Sequence, residues 1–250
     1  DTIIVSGAGS KISQELSAGV SGGIDLDILD GGYVKEVKPG TDGQLDINVS
    51  GTGSKIETIT AGKGGSIVTI DNGGILATSF EGDATAAIDS ITIKTGANIS
   101  GATINTNSGD DTITIESGAT LTGASIDFGA DGTGDKLILS GTATLDGVIA
   151  IKNVNTIDLT NSNATNLDFS KVTNASEVTI DKVNANSTIT LSTDTNTKTK
   201  VVLEGKEATI LNVTSGDKID FNAVQTDIKA AISNANFTDN ASTLTDKGAL

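Results

Sequence analysis

The stretch ITIKTGANISGATI at residues 91–104 returns 22 residues later as ITIESGATLTGASI at 113–126. Ile91 and Ile93 map onto Ile113 and Ile115, Gly96-Ala97 onto Gly118-Ala119, and Gly101-Ala102 onto Gly123-Ala124. A looser third copy runs through Leu137, Leu139, Gly141, Leu145 and Gly147. Each copy reads as an alternating apolar strand, a Gly or Asn turn, a second short apolar stretch and another Gly, so that every second strand side chain points inward. One such unit cannot bury its apolar face alone, whereas a stack of units can.

The same strand-start signal extends in both directions, to Ile3, Ile24, Leu45, Ile67, Ile91, Ile113, Leu137, Ile157, Val178, Val201 and Ile219. The pattern predicts an all-β fold: one continuous, right-handed parallel β-solenoid over residues 1–222 with rungs of about 22 residues. About ten rungs at about 4.8 Å each would make a rod roughly 50 Å long. Ile91, Ile113 and Leu137 should stack directly on one another. Pro39, the single proline, belongs outside the ladder, because it has no N–H to donate. A string of immunoglobulin-like sandwiches is the architectural rival.

The tail, 223–250, departs from this pattern. In VQTDIKAAISNANF, Val224, Ile228, Ala231, Ile232 and Ala235 fall at helical spacing after a possible Asn222 cap. A short C-terminal helix is expected there, covering a last rung that would otherwise expose its ladder and core.

Composition supports a thin aliphatic core. Of 250 residues 36% are hydrophobic but only 2% aromatic, too few to fill a sandwich or barrel in the usual way. The net charge of −16, with Lys as the sole basic residue type, argues against a nucleic-acid partner. No run of about twenty apolar residues is available to span a membrane. The chain starts at Asp1 with no charged, apolar leader, and a piece of a longer protein is expected.

With no His and no Cys, neither a catalytic triad nor a zinc site can be assembled. Paired carboxylates could in principle cleave a glycosidic bond. Five Phe and one Tyr leave little for a sugar platform, however, and no Arg is present to anchor an acidic polysaccharide. The Gly-rich stretches GTGSK (51–55) and AGKGGS (61–66) do not fit a phosphate loop and read as turns. A non-enzymatic protein is expected.

The acids carry the remaining signal. Asp89, Asp111 and Asp135 each stand two residues ahead of the strand residue at 91, 113 or 137, so the register stacks them at one corner. Stacked carboxylates repel, and a Ca2+ ion between rungs would turn that repulsion into a binding site. Asp110 and Asp131 could complete the oxygen shell, and Asp217 in SGDKIDF is a further candidate. The alternative is that these are solvated turn residues. Both SGDDTITI (108–115) and SGDKIDF (215–221) resemble fragments of the calcium-binding nonapeptide of RTX proteins, although the tandem nine-residue repeat is missing.

The stretch NVNTIDLTNSNATNLDFSKVTNASEVTID (153–181) resembles the surface-layer (S-layer) proteins that Gram-negative bacteria export by type I secretion, of Campylobacter or Caulobacter type. The likeness covers about half the chain and its motifs are degenerate. It implies a secreted structural protein at the bacterial cell surface that self-associates into a calcium-dependent two-dimensional lattice. It also implies anchoring to lipopolysaccharide, through a region outside this chain. Because IKTGANISGATI also resembles the glycine-alanine repeats of autotransporter passengers, an adhesin is the alternative, and a polysaccharide-active β-helix enzyme is a third class.

Overall fold

A computed structural model describes residues 2–130, 132–203, 208–220 and, as backbone, 230–233. Its strands follow one another in rungs. Rungs one to four hold β1 (Thr2–Ser6) and β2 (Lys11–Ser17), β3 (Ile24–Leu29) and β4 (Tyr33–Lys38), β5 (Leu45–Ser50) and β6 (Lys55–Thr60), β7 (Ser66–Asp71) and β8 (Ile75–Glu81). Rungs five to seven hold β9 (Asp89–Ile93) and β10 (Thr103–Asn105), β11 (Thr112–Ile115) and β12 (Ser125–Asp127), β13 (Lys136–Leu139) and β14 (Ala150–Lys152). Rung eight has three: β15 (Thr156–Asp158), β16 (Asn166–Asp168) and β17 (Val172–Thr173). Rungs nine to eleven hold β18 (Val178–Asp181) and β19 (Ser187–Thr190), β20 (Thr199–Val202) and β21 (Ala208–Leu211), β22 (Lys218–Asp220) and β23 (Ala230–Ser233).

The first strand of every rung joins a single sheet of eleven strands, and all of its pairings are parallel. The opposite face is an eight-stranded sheet from β2 to β17, succeeded by a four-stranded sheet of β16, β19, β21 and β23. This is a parallel β-solenoid. Among the described residues there is no helix, and so none long and apolar enough to cross a membrane.

Register explains the core. Ile3, Leu26, Ile47, Val68, Ile91, Ile113, Leu137, Ile157, Ile180, Val201 and Ile219 form one inward column, each over its counterpart in the next rung. Facing it, Leu16, Val37, Ile59, Phe80, Ile104, Ile126, Ile151 and Val172 stack in the eight-stranded sheet. Branched side chains suit the pleated face, and each one fully buried contributes about 1.5–3 kcal/mol relative to exposure. The rare aromatics serve as large fillers, with Phe80, Phe128 and Phe169 all buried.

Turns between the faces need backbone that L-residues rarely adopt. Asn72 (φ 45°) and Gly73 (φ 89°) turn rung four from β7 into β8, as Asp30 (φ 53°) and Gly31 (φ 90°) turn rung two. Successive positive-φ residues make Asn-Gly and Asp-Gly the natural pairs here. Pro39 follows the last residue of β4 and interrupts no strand.

Three details differ from the sequence reading. All eleven assigned starts lie on the eleven-stranded sheet, but Ile24, Leu45 and Val178 sit two residues ahead of the Ile113 column. Ile67 is one residue out, and it faces outward at 45% exposure, while its neighbour Val68 is inside. At the C-terminus, Ala231 and Ile232, expected on a helix, lie on β23, which continues the parallel ladder from β21 through Ile210↔Ile232. A strand there gives the edge of β21 hydrogen-bond partners, which a helix would not. Asn222, Val224, Ile228 and Ala235, the remaining signal for that helix, lie outside the described residues.

Ile113→Asp should cost several kcal/mol, because the carboxylate would enter a dry aliphatic column. Thr114→Asp, one residue on and facing out, should cost well under that. Chemical denaturation of the two variants, followed by far-ultraviolet circular dichroism, checks the difference.

Candidate functional site: a buried aspartate ladder

Asp89, Asp111 and Asp135 occupy one position in three successive rungs, as the pairings Ser90↔Thr112 and Thr112↔Lys136 require. All three are fully buried. Their side chains form a ladder along the rod. The Asp89 N–H donates to Asp111 Oδ1 at 2.7 Å, and the Asp111 N–H to Asp135 Oδ1 at 3.0 Å. At one end the Ser66 hydroxyl donates to Asp89 Oδ1 at 2.6 Å. At the other, the Asp135 N–H donates to Asn155 Oδ1 at 2.9 Å. Asp111, Asp135 and Asn155 thus each satisfy a corner amide with a side-chain oxygen.

This arrangement uses one carboxylate oxygen and leaves the other. Oδ2 of Asp89, of Asp111 and of Asp135 is buried without a hydrogen-bond partner. Leaving a buried polar atom unsatisfied is costly, more so when it carries charge. Neighbouring ionised carboxylates about 5 Å apart add roughly 3 kcal/mol of repulsion at a surface-like dielectric.

Titration reflects the same strain. Burial pushes the Asp89 carboxyl up to about 6, opposed by the Ser66 hydroxyl and reinforced by the charges of Asp111 and Asp83. Burial likewise raises Asp135 to about 6, with the Asp111 amide opposing and the charges of Asp111 and Asp110 adding. Asp111 is raised for the same primary reason, with the Asp89 amide and Thr106 hydroxyl opposing and Asp110 adding.

Glycines close over the free oxygens. A side chain at Gly82 would collide with both Asp89 Oδ2 and the Thr106 carbonyl oxygen, and one at Gly132 with Asp135 Oδ2 and the Gly109 carbonyl oxygen. At each of these points a carboxylate oxygen and a backbone carbonyl oxygen converge on the same space.

The other sequence candidates are placed differently. Asp110 is exposed, and its Oδ1 accepts the N–H groups of Thr133 at 3.2 Å and Gly134 at 2.9 Å, tying rung seven to rung six. Asp217 stands in the same register position as the ladder, but both its oxygens are satisfied. Oδ1 accepts the Thr199 N–H at 2.8 Å, and Oδ2 accepts the Thr214 N–H at 2.7 Å. Asp131 lies outside the described residues. Among the described residues, no three acidic side chains converge on one point as a metal cluster. The sequence reading missed Ser66 and Asn155 as the ends of the ladder, and Gly82 and Gly132 as its covers. The signal for Ser66 and Asn155 is their place at either end of the aspartate run, in a column that is apolar at Ile24 and Leu45.

Comparison with known protein families, with curated proteins and with solved structures finds no match. The chemistry of this corner therefore rests on its own geometry.

The pH dependence of the metal-free protein follows from these shifts. A carboxyl raised in the folded state contributes stability that is fully present below about pH 4 and is lost as pH rises through about 6. Two other groups run the opposite way. Thr160, through its hydroxyl and N–H, holds Asp158 low despite burial, and the N–H groups of Asn196 and Asn174 hold Asp194 low. Their contribution is present at and above the ordinary carboxylate range and is lost as pH falls through their folded values. Thermal unfolding in chelator should therefore show a fall in Tm between about pH 4 and 7 and a separate fall at strongly acid pH.

Proposed function

We propose that this chain is a structural, non-enzymatic segment of a secreted bacterial surface layer, joining copies of itself in a calcium-dependent two-dimensional array. The observation that carries the reading is the unbroken eleven-stranded parallel ladder, which gives a rod with repeating outer faces. A solenoid presents the same short side chains at one strand spacing along its length, and that regularity suits lateral packing of identical rods.

The outer face also indicates what such packing requires. Asp25 and Asp46 are adjacent and exposed on the eleven-stranded sheet, Asp27 follows in the next outward column, and the chain carries a net charge of −16. Rods of this charge repel one another at neutral pH. Inter-rung ion pairs such as Lys94 with Asp71 and Lys152 with Asp127 offset little of it, each being half-exposed and worth at most about 1 kcal/mol. Calcium bridging exposed carboxylates of neighbouring copies supplies the missing attraction. Individually weak contacts gain strength by repetition across a sheet. Attachment of such a sheet to lipopolysaccharide would fall to a region outside this chain.

Light scattering and negative-stain microscopy during a calcium titration test the reading. Periodic sheets should form with calcium and disperse on chelation. A chain that stays monomeric at saturating calcium would sink the lattice reading and favour an adhesin that works as isolated rods.

A further inference from the structure

We infer that the Asp89–Asp111–Asp135 ladder holds divalent cations inside the solenoid, bound between the free Oδ2 atoms and the backbone carbonyls of Thr106 and Gly109 that face them at Gly82 and Gly132. The choice of calcium as the ion rests on the function proposed above. The site itself does not depend on lattice formation.

The column carries its own control. Asn155 occupies the rung after Asp135 and accepts its N–H through a neutral amide oxygen at 2.9 Å. At the other end of the ladder the Ser66 hydroxyl donates to Asp89 Oδ1. The corner hydrogen bonds therefore need an oxygen, not a charge. Three successive rungs nevertheless place a carboxylate there, and each keeps one buried oxygen without a partner. Half-buried Asp83 and exposed Asp110 add negative potential from the adjoining loops. The neighbouring positions on β7 and before β15 are the uncharged Ser66 and Asn155.

The donor set selects the class of ion. Carboxylate and carbonyl oxygens are hard ligands, which suit calcium or magnesium over softer metals. The carbonyls come from loops and the carboxylates from strand starts, so the shell is irregular. Calcium tolerates such a shell, whereas magnesium demands near-octahedral geometry. A bound ion neutralises stacked charges that otherwise repel, and it fastens the loops of rungs five to seven to one another.

The test uses the full chain at a protein concentration where it is monomeric, at about pH 7.5, where ligand carboxylates are deprotonated. Thermal unfolding is compared in chelator, in calcium and in magnesium. At 100-fold excess over its dissociation constant, calcium should raise the folded-to-unfolded ratio about 100-fold per occupied site. The effect should be weaker with magnesium, and it should shrink at about pH 4.5, where protons compete for the ligands. The triple variant D89N/D111N/D135N gives all three rungs the neutral amide that Asn155 already supplies to the next. It should lose the calcium response and be at least as stable as the wild type in chelator. As a control for charge, E15Q/D42N/D146N removes three exposed carboxylates and should keep the response.

A wild type indifferent to calcium overturns the inference and leaves a ladder of neutral acids. A ladder variant that keeps the full response also overturns it, because the ions then bind elsewhere. Should the ladder variant fail to fold, the wild-type amide spectrum decides. Calcium must shift the N–H signals of Asp89 and Asp111, whose acceptors are ladder carboxylates, and unmoved signals overturn the inference. These readouts come from the monomer, so failure of the lattice and failure of the site are told apart.

Discussion

Parallel stacking in register is the constraint from which the rest of this molecule follows. When rung lies on rung at one strand spacing, the nearest neighbour of every side chain is the side chain at the same position one turn on. Like meets like by construction. For aliphatic residues this is favourable, and the Ile91–Ile113–Leu137 column shows how branched side chains of similar volume fill a core with almost no aromatic content. For charged residues it is unfavourable, and the same rule that builds the core sets Asp89, Asp111 and Asp135 in file.

The chain meets that difficulty in two ways, according to face. Outside, water screens adjacent acids such as Asp25 and Asp46, and occasional lysines reach across rungs to others. Inside, the carboxylates become structural acceptors: Asp111 and Asp135 each take the N–H of the preceding rung's aspartate, and Asp89 takes the Ser66 hydroxyl, so that side chains complete the hydrogen bonding at a corner where the regular ladder begins. The acceptor at this corner can be charged or neutral, since Asp111, Asp135 and Asn155 all fill the role in one column. Only aspartate brings a second oxygen that must find something else to bind.

How far this could be read from the residues depends on how many inward positions a strand has. Where the strand is short and alternates, as in β11, the two apolar residues are the two inward ones and Ile113 declares the register; in β13 Ile138 is apolar as well, and Leu137 is placed by its spacing from Ile113. The six-residue β3 and β5 have three inward positions, so Ile24 and Leu45, the first apolar residues met, belong to a column that later turns polar at Ser66 and Asp89. In SIVTID, Ile67 and Val68 are equally apolar, and alternation alone cannot say which points inward. The stacking of the aspartates was legible from their spacing; their burial was not, because Asp-x-Ile reads equally well as a turn leading into a strand. The segment around Ala231 and Ile232 fits a helical period locally, and its pairing with β21 is a long-range interaction that periodicity does not register.

Rung eight alone contributes strands to all three sheets. There β17 ends the eight-stranded sheet, β16 begins the four-stranded one, and only the eleven-stranded sheet passes through uninterrupted. Rung eight still joins each neighbour through two ladders, but on one face the join to rung seven is made by β17 and the join to rung nine by β16. Under a pulling force, load on the eleven-stranded face passes from β13 through β15 to β18, whereas on the other face it must pass from β17 to β16 through the covalent chain between them. The molecule thus has a mechanical joint, and it is set where the sequence changes from glycine-rich to asparagine- and threonine-rich turns.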